Sequence, residues 1–152
     1  MEKNRKKLRI CLTLLALNVA FIWGNSLLPG EISGAISLWV KRILEALLGV
    51  EHPGTGHGLL RKLAHFTEFA CLGALLTWLA SMYGKPFLWA LAGGFLVACA
   101  DETIQCFVPD RGPAFTDVVI DTAGVLLGIG VLLTGYGIYR KKVTQALEDK
   151  TI

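Results

Sequence analysis

The chain has 152 residues, of which 53% are hydrophobic and only 18% charged. This length suits one domain, and the composition indicates a membrane protein and argues against a soluble enzyme or a disordered chain. The formal net charge is +3, and we interpret it as membrane anchoring, because the basic residues flank apolar segments, and not as a signal for nucleic-acid binding.

Four apolar segments predict membrane-spanning helices, since each approaches the roughly 20 residues that cross a bilayer. The expected spans are about 10–28, 63–83, 86–107 and 118–139, within a single domain of residues 1–152. Between the first two spans, residues 33–48 repeat apolar side chains at helical spacing, which predicts an external amphipathic helix on the membrane surface. The glycine-rich residues 51–58 predict a loop. The expected fold is an all-α, four-transmembrane-helix bundle.

Basic residues near the spans predict the orientation of the bundle. They precede the first span and follow the last one: Lys3, Arg5, Lys6, Lys7, Arg9, Arg140, Lys141 and Lys142. Because Lys and Arg concentrate in cytoplasmic segments, we expect a multi-pass protein of the plasma membrane with both termini in the cytoplasm.

Ten polar residues lie within or beside the spans, where an ionisable group costs roughly 2.5–3.5 kcal/mol to insert. They are Arg61, Lys62, His65, Glu68, Asp101, Glu102, Gln105, Arg111, Asp117 and Asp121. The predicted topology places all of them at the outer boundary, and spacings of three and four put those of one helix on a shared face. These side chains are therefore expected to face inward and form one outward-opening polar pocket.

The last span carries small residues on the same face as its aspartates. Gly124 and Gly128 form a small-xxx-small pattern, which allows a neighbouring helix to approach closely. Asp117 and Asp121 continue that face toward the outer boundary. We interpret the glycines as packing residues and the aspartates as part of the pocket.

The residue types narrow the chemistry of the pocket. Arginine side chains suit phosphate or carboxylate groups, and His65 is the natural nucleophile or general base, with Glu68 placed to orient it. The carboxylates also suit a divalent metal with His65 as a nitrogen ligand, so the cofactor is left open. The expected catalytic set is His65, Glu68, Asp101, Glu102 and Asp117; the expected substrate-binding set is Arg61, Lys62, Gln105, Arg111 and Asp121.

Two motifs resemble signatures of the VanZ-like family. The first is RKLAHFTEFACLG at residues 61–73, and the second is DETIQCFVPDR at 101–111, continuing as DVVIDTAG at 117–124. Asn25-Ser26 also resembles the serine that ends the family's first helix. The chain departs from the family pattern at three positions: Phe69 replaces a common tyrosine, Asp110 a frequent glycine and Ala114 a frequent serine.

The resemblance implies a role in the cell envelope. The family is named for a membrane protein that lowers susceptibility to the glycopeptide teicoplanin, and a wider grouping places VanZ-like domains among enzymes that modify lipid head groups or lipid-linked glycans. The expected function is action on a phosphate-bearing lipid head group or a lipid-linked envelope precursor. The expected partners are those membrane lipids, with no nucleic acid and with the oligomeric state left open.

Three alternatives use the same residues. A non-catalytic protein would bind or shield a lipid or cell-wall precursor without turnover. A transporter or proton pathway ranks lower, because the inner halves of the spans offer little polar material. In the third alternative, the polar residues only hold the helices together. Such interhelical contacts average only about 0.6 kcal/mol in membranes, so ten polar residues would be an inefficient means of stabilising a bundle.

Overall fold

The computed structural model describes residues 2–49, 57–84, 86–112 and 114–148, without the side chains of Lys3, His57, Pro86 and Glu148. The described residues form five helices and no strand, which confirms the all-α fold. The helices are α1 (Glu2–Ser26), α2 (Gly30–Leu48), α3 (His57–Ser81), α4 (Pro86–Gln105) and α5 (Phe115–Glu148). The loop predicted over residues 51–58 lies outside the described residues up to position 56, and its last two residues already belong to α3.

Four of these helices are long and apolar enough to cross a membrane, as predicted. The candidate spans are Asn4–Ser26, Gly58–Ser81, Phe87–Gln105 and Phe115–Leu147. At 1.5 Å per residue, the 34 residues of α5 extend about 51 Å, well beyond a hydrocarbon core of about 30 Å. One end of α5 must therefore continue past the hydrocarbon core.

Helix α3 lies at the centre of the bundle and packs against each of the other four helices. The core joins buried apolar side chains from α1, α3, α4 and α5, among them Ile22, Phe69, Leu72, Ala98 and Val125. Phe69, where the family commonly has tyrosine, is fully buried in this core. A hydroxyl at that position would need a hydrogen-bond partner in an apolar environment, so phenylalanine suits the packing found here.

Close contact between α3 and α5 depends on glycine. A Cβ atom added to Gly124 or Gly128 would collide with the backbone of α3, at the carbonyl oxygens of Phe66 and Ala70 respectively. Gly73 packs in the same way from α3 against α5. The predicted packing role of the glycines is confirmed. Because Asp121 lies one turn before Gly124, the same close approach brings its carboxylate against α3.

Helix α2 occupies the segment where an amphipathic helix was predicted, between the first two membrane-length helices. Its described side chains include none that is buried, and the apolar residues Trp39 and Leu47 are 65% and 78% exposed. The helix packs on α3 and leaves an apolar face uncovered. Its position on the outer membrane surface stays a prediction.

Candidate active site

The ten predicted polar residues gather at one end of the bundle, where α1 and α4 end and α3 and α5 begin. The opposite end holds the start of α1, the end of α3 and Tyr136 of α5, which line a common groove. The up-and-down order of the helices thus concentrates the polar side chains at one level, as the topology predicted.

His65 and Asp101 form the centre of the site. The Nδ1 atom of His65 lies 3.8 Å from Oδ2 of Asp101, whose side chain is completely buried. The same carboxylate oxygen accepts a hydrogen bond of 2.8 Å from Nε2 of Gln105, which also lies 3.4 Å from Oγ of Ser26. Gln105 therefore positions the carboxylate that faces the imidazole.

Glu68 contacts a different partner from the one that helical spacing predicted. Its Oε1 atom accepts a hydrogen bond of 2.9 Å from Nδ2 of Asn25 on α1. The Nδ1 atom of His65 faces Asp101, so an orienting role for Glu68 stays a prediction. Glu68 remains at the site, on the wall that α3 shares with α1.

Arg111 binds the end of α1. Its Nη2 and Nε atoms donate to the carbonyl oxygens of Asn25 and Leu28 at 2.9 and 3.2 Å, and Nη1 donates to Oε1 of Gln105 at 3.5 Å. The last carbonyls of a helix have no partner within it, so a guanidinium there is favourable. Burial lowers the pKa of Arg111 and nearby Arg61 lowers it further, but an arginine side chain stays protonated in proteins.

The link from α4 to α5 is fixed by a backbone contact. The backbone N–H of Ala114 donates to Oε2 of Glu102 at 2.9 Å, so Glu102 satisfies an amide just before α5. The contact needs no side chain at position 114, which explains why alanine suffices where the family often has serine. Asp110 in this link has a φ of 56°, the left-handed conformation that favours the glycine frequent in the family.

The basic rim of the site consists of Arg61 and Lys62. Lys62 Nζ lies 3.3 Å and Arg61 Nη2 lies 4.0 Å from the carboxylate of Asp117. Their side chains are 42% and 32% exposed, and ion pairs in such positions contribute about 1 kcal/mol or less. These cations are thus free to exchange Asp117 for a ligand anion at little cost.

Two cavities open onto the site, with Arg61 and His65 lining both. The smaller cavity, about 10 Å³, lies among α3, α4 and α5 and includes Glu102, Asp117 and Asp121 in its lining. The larger cavity, about 100 Å³, lies among α1, α2 and α3 and is lined also by Glu68 and Arg111. His65 therefore lies between a smaller cavity in which carboxylates outnumber cations and a larger one in which arginines outnumber carboxylates.

Several buried carboxylate oxygens have no hydrogen-bond partner among the described residues. They are both oxygens of Asp121, Oδ1 of Asp101, Oε2 of Glu68 and Oε1 of Glu102. More than about nine in ten buried polar groups in proteins are hydrogen-bonded. Five exceptions therefore lie together at this end of the bundle.

Four further polar residues belong to the site and were not in the predicted set. Asn25 and Ser26 end α1, where they contact Glu68 and Gln105. Ser33 and Ser37 on α2 line the larger cavity. The sequence did contain a signal for Asn25 and Ser26, because these two polar residues end an apolar span at the level of the predicted pocket. Nothing local distinguished the two serines of an exposed helix.

The four membrane-length helices, with a half-buried histidine facing a buried aspartate at one end, define a small multi-pass membrane protein with a polar site. The VanZ/LLP1 family model matches residues 10–138. The chain therefore belongs to the VanZ/LLP1 family, and the matched region contains all ten predicted site residues. No curated protein and no solved structure matches the chain significantly.

Proposed function

We propose that this protein is an enzyme acting on the phosphate-bearing head group of a membrane lipid or lipid-linked envelope precursor. The observation that carries the proposal is the His65–Asp101 pair beside a cavity of about 100 Å³ that Arg61 and Arg111 also line. Arginines recognise phosphate, and a site at the end of a membrane-length bundle allows an acyl or isoprenoid tail to stay in the bilayer.

His65 would act as nucleophile or general base. With Nδ1 facing the Asp101 carboxylate, the favoured tautomer carries its proton on Nδ1 and leaves Nε2 with a free lone pair. As a base, Nε2 would take the proton of an attacking hydroxyl while the phosphorus–oxygen bond to the leaving group breaks. As a nucleophile, Nε2 would form a transient bond to phosphorus while the phosphorus–oxygen bond to the leaving group breaks, and an acceptor hydroxyl or water would then displace the imidazole from phosphorus.

The cations would divide between binding and positioning. Arg61 and Lys62 are partly exposed, and their ion-pair partner among the described residues is Asp117, so they are suited to meet the head group first. Arg111 already donates three hydrogen bonds within the protein, which supports a role in holding the cavity wall as well as in contacting phosphate. Ser33 and Ser37 add hydroxyls to the same cavity.

The proposed setting is the plasma membrane, with the site facing outside. The support is the distribution of basic residues: Arg5 and Lys7 line the groove at the opposite end of the bundle, and the positive-inside rule assigns such an end to the cytoplasm. An outward site would meet envelope precursors after they have crossed the membrane.

The direct test uses purified protein in nanodiscs containing defined phospholipids or polyprenyl-linked phosphates, followed by mass spectrometry of the lipids. We expect a head-group change that His65→Ala abolishes. Thr67→Ala is the matched control on α3, because its exposed hydroxyl bonds only to the Leu63 carbonyl of its own helix. Saturable binding of an unaltered lipid would instead establish a non-catalytic binder and reject turnover.

We further propose that this chemistry alters susceptibility to teicoplanin, as the family resemblance implies. A bacterial strain expressing the protein is expected to tolerate a higher teicoplanin concentration than the same strain expressing His65→Ala at equal membrane abundance. The support is the position of the site at one end of a membrane-length bundle, the level at which lipid head groups would lie if the four helices span the bilayer. Equal tolerance of the two strains would remove this part of the proposal.

A further inference from the structure

Three side chains from three helices converge on one point at the floor of the site. His65 on α3, Asp101 on α4 and Asp121 on α5 each offer one nitrogen or oxygen atom, and these atoms lie within 4.8 Å of one another. Asp101 and Asp121 are 0% and 1% exposed. This convergence depends on the glycine-mediated contact of α5 with α3, so it is a consequence of the fold and not of local sequence.

The carboxylates at this point are not satisfied by the protein. Both oxygens of Asp121 and Oδ1 of Asp101 are buried without a hydrogen-bond partner among the described residues, and Asp121 forms no ion pair there. Asp121 instead points into the smaller cavity, which His65 also lines. A buried carboxylate left in this condition is strongly unfavourable unless a cation or a proton neutralises it.

The charges of the whole site point to a cation of charge two. Five carboxylates, on Glu68, Asp101, Glu102, Asp117 and Asp121, stand against three basic side chains, on Arg61, Lys62 and Arg111. With all of these ionised and His65 neutral, two negative charges are left over. Among the described residues, the three basic side chains form no ion pair with the buried aspartates: Arg61 and Lys62 pair with Asp117 at the rim, and Arg111 is bonded to α1.

We propose that His65, Asp101 and Asp121 bind one divalent metal ion, of the kind that accepts mixed nitrogen and oxygen ligands, such as Mn²⁺ or Zn²⁺. Imidazole and carboxylate together suit these ions, and three protein ligands leave coordination positions for water or substrate. Gln105, donating to Asp101, is the outer residue that fixes ligand orientation in such sites. The smaller cavity, at about 10 Å³, offers space for about one water-sized ligand.

In the metal-bound protein His65 would be a ligand and not the nucleophile or base of the proposed reaction, so the two proposals give this residue different roles. Binding of the ion is measured without substrate, so each proposal is tested separately. The probe is Mn²⁺, added to metal-stripped protein in nanodiscs and followed by electron paramagnetic resonance. We expect one tightly bound Mn²⁺ per chain, displaced by Zn²⁺, with spin-echo modulation from a directly bonded histidine nitrogen. Asp121→Asn is expected to weaken binding by more than about tenfold, and His65→Gln to abolish the nitrogen signal.

Asp110→Asn is the matched control, because this exposed acid lies at the same end of the bundle but outside the cluster. It should bind Mn²⁺ as the wild type does. Thermal unfolding with and without Mn²⁺ checks folding: the ion should raise the midpoint of the wild type and of Asp110→Asn, and not that of Asp121→Asn. Wild-type protein that binds no Mn²⁺, or His65→Gln and Asp121→Asn variants that bind it as strongly as the wild type does, would overturn the proposal.

Discussion

Arg111 links two parts of the chain that are more than eighty residues apart, through its hydrogen bonds to Asn25 and Leu28. Lysine keeps the charge but loses the planar fork that reaches two carbonyls at once. We predict that Arg111→Lys lowers the free energy of unfolding by about 1.5–3 kcal/mol, the contribution of hydrogen bonds to charged groups. In thermal unfolding in detergent this corresponds to a fall of roughly 3–12 °C at 2–4 °C per kcal/mol.

Arg140→Lys provides the control for that measurement. Arg140 is exposed in the last third of α5, and its side chain forms no hydrogen bond or ion pair with another helix in the described part of the chain. The thermal unfolding midpoint of Arg140→Lys should stay within about 2 °C of that of the wild type, since surface substitutions usually change stability by less than about 0.5 kcal/mol. Equal midpoints for the two variants would mean that Arg111 does not hold α1.

A second prediction at the scale of single residues concerns the backbone conformation of Asp110, whose φ is 56°. Asp110→Gly should preserve stability, since glycine adopts this conformation without steric cost. Asp110→Val should lower stability by about 1–2 kcal/mol, because a β-branched residue strongly disfavours the left-handed region. Circular dichroism during thermal unfolding compares the two, and a valine variant as stable as the glycine variant would contradict the assigned conformation.

The members of the site could be predicted from sequence, but most of their partners could not. Helical spacing and the cost of charges in lipid selected His65, Asp101 and Asp121 without any tertiary information. Whether His65 faces Glu68 or Asp101 depends on how α3 and α4 are rotated about their axes, which local spacing does not set. Arg111 likewise resembled a free phosphate ligand, because its α1 acceptors are backbone carbonyls that no side-chain pattern reveals.

At the scale of the elements, the contact of α3 with α5 decides whether the site assembles. We predict that Gly128→Ala destabilises the bundle by about 1–3 kcal/mol, the usual cost of overpacking, because its Cβ would meet the Ala70 carbonyl. Gly130→Ala is the matched control on the same helix, since nothing lies within 4 Å of the added atom. Thermal unfolding should leave the control unchanged or slightly stabilised, and equal losses would exclude a specific role for Gly128.

Helix α2 shows where an element prediction succeeds and where its boundary fails. The apolar repeat predicted a helix from residue 33, and the structure begins it at Gly30. The N–H of Gly30 donates to the carbonyl of Pro109 at 3.1 Å, and its Cα packs against Asp110. This contact joins the start of α2 to the α4–α5 link, which is distant in sequence, so the apolar periodicity of α2 could not predict where the helix begins.

On the scale of the whole molecule, an even number of spans places the start of α1 and the far end of α5 on the same side, opposite the site. Arg5 and Lys7 lie at that opposite end, and Arg140, Lys141 and Lys142 are exposed near the end of α5. Because positively charged segments are retained in the cytoplasm, the His65 end should be outside. Cys106 is exposed at the site end, so chemical labelling of its thiol can show on which side of the membrane this end lies.

We predict that a membrane-impermeant maleimide labels Cys106 in intact cells when Cys11, Cys71 and Cys99 are replaced by alanine. In the fully cysteine-free background, Tyr83→Cys provides the reporter for the other end, where Tyr83 is exposed in the turn after α3. It should label only after the cells are permeabilised, because that turn belongs to the basic end of the bundle. The reverse pattern would place the site in the cytoplasm, and with it the head groups of the inner leaflet as the substrate.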